Sequence, residues 1–292
     1  MITGKTKLLG VIGHPVEHSL SPVMHNAAIA HLKLDYVYLP LPVKPEDLKA
    51  AIAGFAAIGL KGFNVTIPHK QAILPLLSEV SAVARAVGAV NTVWRTSDLL
   101  WAGTNTDVEG FIAPLRTYDR DWSQTVAVIL GNGGAARAVV AGCAQLGCAS
   151  IHVAGRNQAK LKEFLNSWVD SPNSVKMHVH SWEELPDLIA QTDLLVNTTP
   201  VGMYPHVEQS PLSAGEIARL AAGAIAYDLI YNPNPTQFLR QAQEQGAIPI
   251  NGLEMLVQQG AAALQIWLQQ PVPDDVMRAS LQQQLIPHLP NR

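Results

Sequence analysis

The sequence predicts an α/β protein of two domains, the second built on a doubly wound parallel sheet. Three observations carry that reading. At 292 residues the chain is long enough for two separate cores. Short β-branched apolar runs alternate with helical patterns along most of the chain, the order expected of helices layered on sheets. Residues 125–138, TVAVILGNGGAARA, pass from an apolar run through glycines into a small-residue helix start.

That last stretch reads as strand, tight turn and helix N-terminus. Gly131, Gly133 and Ala136 fit G-x-G-x-x-G/A. The first glycine permits the turn, the second lets the backbone approach a pyrophosphate, and the third small residue lets helix pack on strand. A helix N-terminus adds unpaired N–H groups and a partial positive charge for an anion. The pattern alone is weak, but the strand before it and the helix after it supply the Rossmann-type context of a dinucleotide site.

Taken in order, residues 7–13 read as a first strand, followed by the loop HPVEHSLSP. Ser21 and Pro22 read as helix N-cap and first helical residue. Together with Ser19, the Ser21 hydroxyl also suits a small carboxylate at a helix N-terminus. Residues 36–41 suggest a second strand, and 45–58 a helix with Glu46 and Asp47 in its first turn. The run KGFNVTIPHK, 61–70, reads as a strand entering a proline-opened helix. Thr66 and Lys70 then stand near the strand's carboxyl end, where open α/β sheets bind ligands, although an isolated lysine there is commonly a solvated surface charge. Residues 87–93 carry Gly88-Ala89-Val90-Asn91-Thr92, and a strand-like piece at 99–103 leads into Thr104-Asn105-Thr106-Asp107. On its own, Asp107 reads as the N-cap of a helix beginning near Val108. The polar stretch 117–123 reads as the end of the crossover between domains.

Beyond it, strands are expected at 126–130, 151–154, 194–197, 224–229 and 248–250, with helices at 135–146, 158–168, 182–190 and 235–245. Two last helices, 254–269 and 273–286, either form a third unit or fold back onto the first domain.

Composition excludes several function classes. Charged residues make up 15% and the net charge is −3, which leaves no field for nucleic acid or an anionic membrane. The N-terminal MITGKTKLLGVIG enters a strand-like run with no cleavage pattern, and no apolar stretch is long enough to span a bilayer. Cys143 and Cys148 have neither metal spacing nor a disulfide framework around them, so a cytoplasmic location is expected. The His14–His18 and His178–His180 spacings are possible ligand pairs, but with no converging third ligand they read as incidental and no metal is expected.

The expected cofactor is NADP. NAD-selective folds of this kind place an acid about 20 residues beyond the glycines to hold the ribose 2′-hydroxyl. Here the second strand ends in Gly155-Arg156-Asn157, with no acid. Arg156 offers a planar fork to a 2′-phosphate, and Lys160 adds a second positive charge.

With these residues in hand, the chain resembles the shikimate dehydrogenase family over essentially its full length. The matching motifs are SLSP (19–22), NVTIPHK (64–70), GAVNT (88–92), NTD (105–107), GNGGAARA (131–138), NTTPVGM (197–203), YNP (231–233) and GLEMLVQQG (252–260). The resemblance implies NADP-linked interconversion of 3-dehydroshikimate and shikimate in aromatic amino-acid biosynthesis. It implies a substrate domain of residues 1–107 completed by 253–292, an NADP-binding Rossmann domain of 108–252, C-terminal helices returning to the first domain, and an active site in the cleft between domains. By match to the family's motifs, Ser19 and Ser21 hold the substrate carboxylate, and Thr66, Asn91, Asp107, Tyr231 and Gln259 surround the ring and its hydroxyls. Gln259 is chosen over Gln258 as the fifth residue of MLVQQ. Lys70 is the acid/base and Asp107 its orienting partner. Gly131, Asn132, Gly133, Gly134 and Ala135 take the pyrophosphate, Arg156 the 2′-phosphate, and Leu229, Gly252 and Met255 the nicotinamide end. The family commonly has Asn-Arg-Thr where this chain has Gly155-Arg156-Asn157, so the arginine is kept. Small-molecule substrates and a monomer or homodimer are implied. The competing readings are a quinate/shikimate dehydrogenase using NAD, a non-catalytic sensor of the same metabolites, and a structural or interaction protein on a Rossmann scaffold, which would explain the glycine loop but not the polar motifs elsewhere.

Overall fold

The computed structural model describes residues 2–168 and 177–285, which form two compact units. The first runs to Thr106 and resumes at Leu256; the second is Asp107–Met255.

The first unit's strands are β1 (Lys7–Gly13), β2 (Tyr36–Pro42), β3 (Gly62–Val65), β4 (Glu79–Val80), β5 (Thr92–Arg95) and β6 (Trp101–Thr104), in the order β2-β1-β3-β5-β6-β4. β1 runs parallel to β2 and β3, whereas β5 is antiparallel to both β3 and β6. Asn64 lies opposite Thr92, and Thr92 opposite Thr104. This alternation brings the carboxyl ends of β1, β3 and β6 and the amino end of β5 to one edge. That edge is where the polar motifs of the sequence fall.

The helices here are α1 (Ser21–His31), α2 (Leu48–Ala57), α3 (His69–Ala72) and α4 (Ala82–Val87). Three expectations are corrected, and one element was missed. Ser21 is not the N-cap of α1 but its first residue; Leu20 holds the cap position without a side-chain bond, and the Ser19 hydroxyl accepts from the Ser21 N–H at 3.3 Å. The capping chemistry has moved two residues upstream, which leaves the Ser21 side chain for tertiary contact. The expected helix 45–58 begins with a 3-10 turn, Pro45–Asp47, before α2 proper. The strand expected at 99–103 starts at Trp101, because Leu99 at φ 61° makes a turn back onto Thr96. Helix α4 was not anticipated, although its Ser81 cap and its left-handed Gly88 end are ordinary boundary signals.

The apolar faces of these elements meet in a core that includes Ile12, Leu60, Phe63, Val65, Val90, Val93 and Trp101.

In the second unit lie β7 (Val126–Leu130), β8 (Ser150–Gly155), β9 (Met177–Ser181), β10 (Leu194–Asn197), β11 (Ile225–Asp228) and β12 (Ile248–Ile250). Their order is β12-β11-β10-β7-β8-β9, every pairing parallel. This is the doubly wound arrangement, with its reversal of strand order beside β7. Helices α5 (Asp107–Leu115), α6 (Gly134–Leu146), α7 (Gln158–Asn166), α8 (Leu185–Ile189), α9 (Ala214–Ile217) and α10 (Gln237–Glu244) complete it.

Three further differences belong here. The crossover does not end at 117–123: the second unit already begins at Asp107, and Phe111 of α5 packs against Gly142 of α6. Asp107 itself lies in the first turn of α5 rather than at its cap. Strand β9 was not foreseen, since its sequence MHVHS carries only two apolar residues.

The chain closes with α11 (Leu253–Leu268) and α12 (Asp274–Leu285), which resolve the open choice in favour of return to the first unit. α12 packs along α1, and Trp267 of α11 lies over Gly62, where no side chain intervenes, donating its indole N–H to the Val93 carbonyl at 2.9 Å. The expected end of the last helix at Ile286 lies outside the described residues.

Candidate active site

At the polar edge of the first unit the organising side chain is Asn91, 2% exposed, on the residue before β5. Its Oδ1 accepts the Thr106 N–H at 2.7 Å and the Thr92 hydroxyl at 3.0 Å, and its Nδ2 donates to Thr106 Oγ1 at 3.0 Å and Gln259 Oε1 at 3.5 Å. Asn64 continues the network from β3, donating to the Asn91 carbonyl and to Thr92 Oγ1, both at 3.1 Å. Its Oδ1 accepts the Tyr38 hydroxyl at 2.6 Å. Burial pushes the Tyr38 phenol well up, so it stays a neutral donor.

Thr66 follows β3 directly and gives its N–H to Ile12 at 2.9 Å, placing it beside the end of β1. Lys70 is half-buried on α3; its backbone carbonyl accepts the Val90 N–H at 2.8 Å, which ties the lysine to the segment carrying Asn91. Behind it, buried His69 bonds the Val43 carbonyl at 2.7 Å and anchors the short helix. Six of the expected residues, Ser19, Ser21, Thr66, Lys70, Asn91 and Gln259, therefore belong to one unit. Asp107 and Tyr231 belong to the other: Asp107 opens α5 and is 6% exposed, and half-buried Tyr231 follows β11.

In the second unit the glycine loop has the shape that anion binding requires. Gly131 turns at φ 103° as β7 ends, its N–H bonded to Ala154, with Thr198 and Thr199 where a Cβ would go. Gly133 caps α6 with no side-chain bond, and a Cβ there would meet open space. The first-turn N–H groups of α6, from Gly134 and Ala135 onward, thus face a surface that no side chain fills. A dinucleotide pyrophosphate fits that cradle. At the neighbouring strand end Arg156 and Lys160 are exposed, and Asn157 caps α7 by accepting the Lys160 N–H at 3.0 Å. Cap chemistry thus explains the Asn at 157. On the far side of β7, Gly252 lies so close to the Leu229 carbonyl that no Cβ could enter, and Met255 is buried one turn on.

Sequence reasoning passed over several side chains. Asn64 and Thr106 lie inside quoted motifs yet were not singled out, and Tyr38 had no local signal because its role depends on the pairing of β1 with β2 and β3. Thr198, which bonds the Leu130 carbonyl at 2.7 Å and walls Gly131, was visible only as part of NTTPVGM. The histidines at 178 and 180 gather with His152: His152 Nδ1 and His180 Nε2 stand 2.9 Å apart, and the His152 and His178 rings stack at 5.2 Å. Desolvation, and then the other two rings, push His152 down to about 4. Among the described residues no three or more His, Cys, Asp or Glu are placed to hold a metal ion.

Comparison with known proteins fits this geometry. A model of the shikimate dehydrogenase substrate-binding domain matches residues 11–93, one of shikimate/quinate 5-dehydrogenase matches 115–229, and one of the shikimate 5′-dehydrogenase C-terminal domain matches 252–282. The chain is 70% identical over 287 residues to the shikimate dehydrogenase (NADP(+)) of Trichormus variabilis, covering 98% of this chain and 99% of the relative. It belongs to the shikimate dehydrogenase family. Among solved structures, a shikimate dehydrogenase in complex with NADP+ superposes with a TM-score of 0.86 at 38% identity, covering 98% of each chain. The shikimate 5-dehydrogenase of Listeria monocytogenes, in complex with shikimate and NAD, gives 0.85 at 37% identity, covering 96% of this chain and 98% of that one. The substrate-domain model falls within the first unit and the central model within the second, while the C-terminal model begins at Gly252, where the backbone packs against Leu229. No helix among the described residues is long and apolar enough to cross a membrane.

Proposed function

We propose that this chain catalyses the NADP-linked interconversion of 3-dehydroshikimate and shikimate in aromatic amino-acid biosynthesis, in the cytoplasm. The observation that supports it best is the buried network on Asn91, which fixes amide and hydroxyl groups along one sheet edge as a small polyhydroxylated acid requires.

In this reading Ser19 and Ser21 take the substrate carboxylate, and Thr66, Asn91, Tyr231 and Gln259 hold the ring hydroxyls. NADPH, when bound, would supply the hydride to one face of the ketone, leaving NADP+, and Arg156 with Lys160 would select it through the 2′-phosphate. Gly131 to Ala135 hold the pyrophosphate, and Leu229, Gly252 and Met255 the nicotinamide end. Lys70 gives its proton to the ketone oxygen as negative charge develops there. In the reverse direction the neutral amine takes the proton from the hydroxyl. Asp107 accepts hydrogen bonds from substrate and orients the ammonium.

The test is steady-state kinetics with purified protein, following the reduced nicotinamide with shikimate or quinate and NADP or NAD. Turnover with shikimate and NADP is expected, with NAD and quinate far poorer. Lys70→Ala should lower kcat by about a hundredfold to ten-thousandfold while KM for shikimate moves little. Preserved turnover in that variant would remove Lys70 from the mechanism, and equal use of quinate or NAD would redirect the assignment of substrate.

A further inference from the structure

The geometry points to Trp182 as the positioning residue for Arg156 in nucleotide selection, an inference that rests on the proposed reading of the 2′-phosphate by Arg156. β8 and β9 pair in parallel with Gly155 opposite Ser181, so the next residue of each strand, Arg156 and Trp182, emerge side by side. The Arg156 guanidinium carbon lies 5.0 Å from the Trp182 ring centroid. Arg156 is exposed, and among the described residues no carboxylate forms an ion pair with it.

The platform is held from beneath and from its own turn. Trp182 is half-buried, packed against the apolar core that includes Leu185, Ile189 and Leu195. It opens a 3-10 turn fixed by a capping box in which the Ser181 N–H donates to Glu184 Oε2 at 2.7 Å. A long, exposed arginine otherwise samples many rotamers, and ordering it on a ligand weakens binding. The ring beside the guanidinium restricts those rotamers and, having no oxygen acceptor, does not tie up its N–H groups in strong hydrogen bonds, and those are the groups that a phosphate takes bidentately. Trp182 thus acts through Arg156.

Isothermal titration of the full-length protein with adenosine 2′,5′-bisphosphate and with adenosine 5′-monophosphate separates the possibilities. Trp182→Ala should weaken the bisphosphate about three- to tenfold, the scale of one newly disordered side chain, and leave the monophosphate within about twofold. Trp182→Phe, which keeps a ring, should restore most of the affinity. In steady state, Trp182→Ala should raise KM for NADP with kcat unchanged. On an Arg156→Ala background the tryptophan substitution should add nothing, because the group it positions is gone.

Equal weakening of both nucleotides would make Trp182 an adenine contact or a structural residue and overturn the inference. So would an undiminished effect on the Arg156→Ala background, or bisphosphate binding unchanged by Trp182→Ala. If Arg156→Ala itself leaves the ratio of the two affinities unchanged, the reading of Arg156 fails first, and with it this inference. If that ratio collapses in Arg156→Ala but not in Trp182→Ala, only the role of Trp182 fails.

Discussion

The two units prepare their ligand-facing edges by opposite means. In the first, the side chains proposed to meet the substrate are already committed to one another: Asn91 joins Thr92, Thr106 and Gln259, and Asn64 joins Tyr38 to the same set. In the second, what matters is the absence of side chains, at Gly131 where β7 turns, at Gly133 over the N-terminus of α6, and at Gly252 against Leu229. A small polar ring must be met by donors and acceptors at particular angles, which only a braced set of side chains supplies. A pyrophosphate is met by backbone N–H groups, which need the Cβ out of the way. One edge should therefore break by losing atoms and the other by gaining them.

Gly252→Ala is the sharpest form of the second case and the largest expected effect. The new methyl would be driven into the carbonyl of Leu229, with the Leu229 carbonyl carbon only 2.5 Å away. Backbone on both sides cannot swing aside as a side chain does. A loss of about 3 kcal/mol or more in urea denaturation is expected, at the upper end of overpacking costs. An unchanged midpoint would show that this approach is not rigid.

Asn91→Ala is the matching test of the first edge. It strips a buried acceptor from the Thr106 N–H and leaves the Thr92 hydroxyl to find another partner. A cost of about 2 kcal/mol is expected from unsatisfied buried groups, with affinity for shikimate falling in parallel. If stability falls but titrated shikimate affinity does not, the network is a brace and not a recognition surface.

This asymmetry also decided how much was legible in the sequence. The second unit's glycines are read directly, because a turn at positive φ or a close approach leaves few residue choices. Its strands 126–130, 194–197 and 248–250 coincide with β7, β10 and β12. Strand β9 escaped, since MHVHS shows its alternation only once Met177 and Val179 are known to face a core. With β9 went the register that sets Trp182 beside Arg156. In the first unit the motif residues were visible one by one, but the connection from Tyr38 on β2 through Asn64 on β3 to Asn91 beside β5 exists only once the strands pair. The capping error at Ser21 has a local cause: Ser19 and Ser21 are both competent caps, and Pro22 is tolerated at either of the first two helical positions.

The smallest expected effect sharpens the comparison through pH. The first unit's hub is a neutral amide, whereas the second unit's counterpart is a buried carboxylate: Asp228, ending β11, accepts from Asn197 Nδ2 at 3.0 Å, the Ile230 N–H at 3.1 Å and Thr236 Oγ1 at 2.6 Å. Desolvation outweighs those bonds and pushes its acid up from the ordinary 3.8 to about 6. Between these values the folded chain holds a proton that the unfolded chain has lost, so this group's contribution to stability falls as pH rises through the window. His152, pushed down from 6.5 to about 4, works in the other direction, its contribution falling as pH drops through nearly the same window. The net profile therefore hides both, and a difference measurement is needed. Asp228→Asn fits the site, because its amide can keep Oδ1 as the acceptor and donate to Thr236 Oγ1, which still caps α10 through the Leu239 N–H. The variant should match the parent in urea denaturation near pH 4 and gain on it steadily up to about pH 6, with a constant difference above. A difference independent of pH would mean that Asp228 stays ionised in the folded chain, held by its three donors, and that the second unit's hub is as indifferent to pH as the first's.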